Sequence, residues 1–126
     1  DIDGLFSSHL PKNSRFYETV EAFEKEREQG GPYDFKIGRK IKRLLEQSGL
    51  EIIVAEESWY DRELNFSNKA DPEIVQNWKS RLERMVFLKA CFGSQYPEFC
   101  AYFLDILQQE DHASNGAVKY FVGIKR

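Results

Sequence analysis

Two carboxylates at the head of the chain, in Asp1-Ile2-Asp3-Gly4, are its densest short motif. Paired acids can act as nucleophile, proton donor or cation ligand; an acidic strand end and turn is the plainer reading. An EF-hand is excluded, because the sixth position is Phe6 where the loop needs Gly and the twelfth is Lys12 where it needs Glu. The two histidines, His9 and His112, titrate near neutral pH without help. His9 is a candidate general base, although a lone His in a polar loop is more often simply a surface residue. His112, beside Glu110 and Asp111, reads as a helix-end residue. No helical or turn spacing joins the two histidines to Asp1 and Asp3 as a ligand set, so no metal is assigned. Trp59 and Tyr60 follow a strand, where open sheets place ligands. Trp78 and Arg81 lie three apart on one helix face. These four are the substrate-binding candidates; strand-end aromatics packed on a neighbouring helix are at least as common a reading of Trp59 and Tyr60, and core packing is the commoner one for Trp78. The Arg39-Lys40-Lys42-Arg43 cluster reads as a solvated helix face balanced by an acidic helix before it.

The elements that must position these residues follow from period and punctuation. Residues 1–12 read as a loop broken by Gly4, Ser7-Ser8 and Pro11. A helix follows with Phe16, Val20 and Phe23 inward and Glu18, Glu21, Glu24 and Lys25 on the charged face, ended by Gly30-Gly31-Pro32. Asp34 caps a second helix bearing Ile37, Ile41, Leu44 and Leu45; Gly49 stops it, and Leu50 to Glu56 forms a strand. Asp71-Pro72-Glu73 opens a third helix whose stripe runs through Ile74, Trp78, Leu82 and Val86 to Gly93. Tyr96-Pro97-Glu98 opens a fourth with Phe99, Phe103, Ile106 and Leu107 inward, and Asn115-Gly116 turns the chain into a final strand, Ala117 to Lys125.

A length of 126 residues bounds the chain to one domain or part of one, and 31% charged residues of mixed sign describe a soluble surface. A net charge of −3 gives no electrostatic footprint for nucleic acid, and runs such as Ile52-Ile53-Val54-Ala55 are too short for a bilayer. Cys91 and Cys100 read as free thiols in a reducing cytoplasm. Two strands alone make a marginal ribbon, and helices of an α/β protein need a wider sheet to cover. Further strands are therefore expected upstream of Asp1, where the chain opens without an initiator Met.

The order of elements resembles the C-terminal half of a class I S-adenosylmethionine-dependent methyltransferase. Asp1-Ile2-Asp3 is similar to the tail of the family's fifth strand. The run from Ile37-Gly38-Arg39-Lys40-Ile41 through Leu44-Leu45-Glu46-Gln47-Ser48-Gly49-Leu50-Glu51-Ile52 is similar to its helix, glycine turn and sixth strand, and Val118 to Arg126 to its terminal antiparallel strand. The resemblance implies an α/β, Rossmann-like fold, with residues 1–126 a single domain fragment and about 59–114 a helical insertion over the substrate pocket. It implies a methyltransferase parent whose other half holds S-adenosylmethionine. No glycine-rich cofactor loop occurs here, so the fragment itself is expected to bind no cofactor and to be inactive. Asp1, Asp3 and His9 would face the transfer site, and Trp59, Tyr60, Trp78 and Arg81 would receive a small-molecule methyl acceptor. A second reading is a non-catalytic partner-binding module that forms homodimers through an exposed sheet edge. A third is a magnesium-dependent phosphohydrolase fragment, since Asp1-Ile2-Asp3-Gly4 resembles the Asp-x-Asp-Gly of haloacid dehalogenase-type phosphatases, with Leu5 where those enzymes usually carry Thr.

Overall fold

The computed structural model describes residues 3–28 and 33–126. Asp1 and the helix stop at Gly30-Gly31-Pro32 lie outside the described residues. Helix α1 spans Tyr17–Glu28, α2 Ile41–Gln47, α3 Pro72–Arg84, α4 Val86–Phe92 and α5 Tyr96–Leu107; strands β1 and β2 span Leu50–Trp59 and Val118–Lys125. Short 3-10 turns precede α1, α2 and α5.

Three of the expected helical faces are where the periodicity puts them, but α2 buries no residue, with Leu44 42% exposed, and Val86 of the third stripe is 70% exposed. Phe16, Val20 and Phe23 are buried, as are Ile74, Trp78 and Leu82 of α3 and Phe99, Phe103, Ile106 and Leu107 of α5. Pro72 and Pro97 sit in the first turns of α3 and α5, where a missing N–H costs nothing. Gly49 has φ +81°, the left-handed stop expected after α2.

The third expected helix is two. It breaks at Met85, whose ψ of 74° is not helical. Neither Gly nor Pro marks the site, but the Tyr96 hydroxyl donates to the Leu82 carbonyl at 2.5 Å, and the Met85 N–H donates to the same oxygen at 3.2 Å. With that carbonyl satisfied from outside, the ladder need not continue, and α4 leaves on a new axis.

The expectation of a Rossmann-like sheet is contradicted. Among the described residues the sheet has two strands, paired antiparallel, with Leu50 opposite Lys125 and Ala55 opposite Phe121. Irregularities between Ile52 and Val54 and between Glu56 and Trp59 shift the register. Apart from Val118, which is buried in the core, this sheet stands outside it: Ile53, Val54, Tyr120 and Val122 are all at least 40% exposed. The helices find their cover elsewhere. Residues 5–10, expected as a polar loop, carry Leu5, Phe6 and Leu10 into the centre of the molecule. Phe6 stacks edge-on against Phe35, Trp78 and Phe103 at centroid distances of 6.1, 5.9 and 5.7 Å, in the geometry aromatic quadrupoles favour. Phe16, Phe92 and Phe99 continue the cluster. The architecture is thus a helical bundle closed by its own N-terminal segment, with a small antiparallel ribbon beside it. The inference that these helices must lie against strands encoded elsewhere falls, and nothing among the described residues supports the expected homodimer through an exposed sheet edge.

A buried carboxylate holds the N-terminal segment in place. Glu24, 1% exposed, accepts hydrogen bonds from Phe6 N at 2.9 Å and Ser7 N at 3.1 Å on one oxygen, and from Ser7 Oγ at 2.5 Å on the other. Burial pushes its pKa up, against the opposing pull of these three donors.

Candidate functional site

Two places among the described residues gather polar groups into apolar surroundings. The first is a cavity of about 460 Å³ where the ends of α1 and α3 meet the start of α4. Arg27 comes from the last turn of α1, and Arg81 and Arg84 from the last turn of α3. Phe35, Tyr33, Met85 and Phe87 supply apolar walls, and no carboxylate among the described residues lines the cavity. The break at Met85 creates this space, because a continuous helix would carry Val86 and Phe87 away along the axis of α3.

Arg27 is held by stacking, and Arg81 by stacking together with an ion pair. The Arg81 guanidinium lies 4.6 Å from the Trp78 ring centroid, and its Nη2 donates to Glu63 at 3.2 Å. Trp78 is fixed in turn by its indole N–H, which donates to the Glu63 carbonyl at 2.9 Å. Arg27 lies over Phe87 at 4.5 Å and over Phe23 at 5.4 Å. Arg27 Nε and Arg81 Nη1 are buried with no hydrogen-bond acceptor among the described residues. Cations in the last turn of a helix also complement its dipole, which explains their placement on α1 and α3. It does not explain buried guanidinium nitrogens left without acceptors, since such groups carry a desolvation penalty.

The second place is a histidine pair. His9 and His112 are 1% and 4% exposed, with rings stacked at 5.1 Å and His9 Nδ1 2.9 Å from His112 Nε2. His9 Nε2 donates to the Leu64 carbonyl at 2.7 Å, and His112 Nδ1 to the Asn68 carbonyl at 2.9 Å. Phe66, Trp78 and Phe103 enclose His9. Burial, then the neighbouring His112, lowers the His9 pKa to about 3, and burial lowers that of His112.

The candidates named from sequence therefore separate. His9 is no surface residue, and its partner is His112, which is buried 103 residues away in the connector after α5 instead of at a helix end. Asp3 is apart from both, paired with Arg39 at 2.6 Å. Trp59 ends β1, 48% exposed and edge-on to Tyr120 at 5.5 Å; Tyr60 beside it is 66% exposed. Trp78 is core, and Arg81 alone of the substrate candidates lines the large cavity. The basic cluster is partly neutralised as expected, Lys40 bonding Asp34 at 2.8 Å and lying 3.8 Å from Glu28. Among the described residues no three His, Cys, Asp or Glu side chains converge as a metal site. No helix of the described residues is long and apolar enough to cross a membrane. Arg27, Arg84 and Phe87 were not singled out by sequence, because only the break at Met85 brings them together.

The methyltransferase reading does not survive this geometry. A two-stranded antiparallel ribbon offers no parallel strand ends at which S-adenosylmethionine or a methyl acceptor would sit, and neither a methyltransferase parent nor a catalytic role has support here. No family model, no curated protein and no solved structure matches this chain.

Proposed function

We propose that this domain binds a small amphipathic anion, an aromatic or aliphatic body bearing one carboxylate or similar group, in the cavity between α1, α3 and α4. The observation that carries the reading is the lining: among the described residues, three arginines and no acid around an apolar space of about 460 Å³. Ligand sites are mostly apolar with a few placed polar groups, and arginine matches planar oxyanions in a two-point fork. Trp78 positions Arg81 through the stacked contact, and Glu63 restrains its far side.

Calorimetric titration of the full chain with naphthalene-1-acetate and with the neutral naphthalene-1-acetamide tests this. The acid is expected to bind at least about tenfold more tightly, equivalent to about 1.4 kcal/mol, and the preference to disappear in Arg84→Gln, an exposed position. Equal affinities for acid and amide, or a preference unchanged in Arg84→Gln and Arg27→Met, would contradict it.

A further inference from the structure

The His9–His112 pair presents a proton-counting problem. A carbonyl oxygen only accepts, so Leu64 O fixes a proton on His9 Nε2 and Asn68 O fixes one on His112 Nδ1. A neutral imidazole has a single N–H, and in each ring it is thereby used. The nitrogens that remain, His9 Nδ1 and His112 Nε2, face each other at 2.9 Å. Two bare lone pairs at that distance repel; one added proton between them makes a charge-assisted N–H···N bond.

We propose that His9 and His112 form a proton-operated latch, closed by one proton shared between their facing nitrogens and released when that proton leaves. Three segments meet at it. His9 ends the N-terminal 3-10 turn, Leu64 and Asn68 belong to the connector after β1, and His112 belongs to the connector before β2. The Asn68 N–H donates to the His112 carbonyl at 2.6 Å, and the Ala70 N–H to Leu107 O at 2.8 Å, so the two connectors are tied beside the rings. His9, Gln109 and the run from Asp111 to Asn115, His112 included, also wall a second cavity of about 340 Å³. When the proton leaves, one ring must turn and abandon its carbonyl, which loosens the connector before β2 and that wall.

The surroundings set the direction of the response. From α3, Arg81 opposes charge on His9; from the connector itself, Asp111 favours charge on His112. Glu63 pairs with Arg81 and moderates its field, and Lys12 lines the adjoining cavity. Phe66, Trp78 and Phe103, packed on the pair from their own elements, carry no charge. Burial holds both imidazoles below their ordinary value, so the latch closes on the acid side of neutrality.

Nitrogen-15 NMR of histidine side chains in the full chain, with amide exchange, reads the latch directly. At pH 5 one strongly deshielded proton should couple to nitrogens of both rings, giving three ring N–H protons per pair. Raising the pH to 7.5 should remove it and lower protection of the Asn68 and Ala70 amides at least tenfold, after correction for intrinsic exchange. His112→Gln supplies an amide donor to His9 Nδ1 that needs no added proton, so its protection should stay high at both pH values. Two ring N–H protons per pair at pH 5, or protection at Asn68 and Ala70 independent of pH in the wild type, would overturn the proposal.

Discussion

Replacing Glu24 by Leu removes the acceptor of two buried backbone N–H groups, those of Phe6 and Ser7, and of the Ser7 hydroxyl. Leaving a buried donor unsatisfied costs about 1–3 kcal/mol. Two orphaned amides give roughly 2–6 kcal/mol, and the apolar Leu side chain offsets part of this by burial, leaving a central loss of about 2–4 kcal/mol. That is a large share of the 5–15 kcal/mol that roughly bounds the stability of a domain, and it corresponds to a fall in Tm of about 8–16 °C. Glu24→Gln separates the hydrogen bonds from the charge. Its carbonyl oxygen still receives both amides, and the Ser7 hydroxyl can turn to accept from the new NH2, so a loss of about 1 kcal/mol or less is expected. Urea unfolding followed by tryptophan fluorescence measures both, since Trp78 packs on Phe6. If Glu24→Leu stays within about 0.5 kcal/mol of the wild type, the N-terminal segment is not held by this carboxylate and the account of the core's closure is wrong.

Stability should depend on pH through His9. Its folded pKa lies near 3 against an ordinary value of 6.5, so its contribution is complete above pH 6.5 and is lost as pH falls toward 3. One proton taken up only by the unfolded chain gives a slope of about 1.4 kcal/mol per pH unit. Glu24, pushed upward by burial, contributes in the opposite sense above its ordinary value of 4.5, so the informative quantity is the reduction of slope in His9→Gln, measured by urea unfolding at pH 6 and 5. An unchanged slope would show that His9 protonates freely in the fold. Gly93 has φ +56° and ψ −128°, a region costly for any side chain even though a Cβ would meet no atom within 4 Å. Gly93→Ala should therefore cost about 1–3 kcal/mol by backbone strain alone, and a neutral or stabilising result would refute that reading. Tyr96→Phe withdraws the hydroxyl from the Leu82 carbonyl at the α3–α4 break, and a loss of about 1–2 kcal/mol in the same unfolding assay is expected.

Local chemistry in the sequence predicted local structure well. The spacing of Phe16, Val20 and Phe23, the prolines at 72 and 97, and Gly49 each act within a turn of where they stand. What the sequence did not reveal depends on partners far along the chain. Glu24 reads as one more acid on a charged face until Phe6 and Ser7 fold over it. His9 and His112 share no period across 103 intervening positions, and the α3–α4 break needs the hydroxyl of Tyr96, which belongs to α5. The error about the sheet has the same origin. Apolar helix faces beside two strand patterns implied a wide sheet to cover, whereas Leu5, Phe6 and Leu10, in a stretch punctuated like a loop, cover those faces instead. The methyltransferase likeness rested on the order of helix, glycine turn and strand, an order that does not specify whether a parallel sheet stands beside the antiparallel pair.

Arginine side-chain NMR during titration with naphthalene-1-acetate tests the anion-binding account most directly. Saturable shifts of the Arg27, Arg81 and Arg84 guanidinium resonances, together with the Val86 and Phe87 amides, are the predicted result. Shifts confined to the exposed ribbon around Ile53, Val54 and Val122, with the three arginines unmoved, would contradict it.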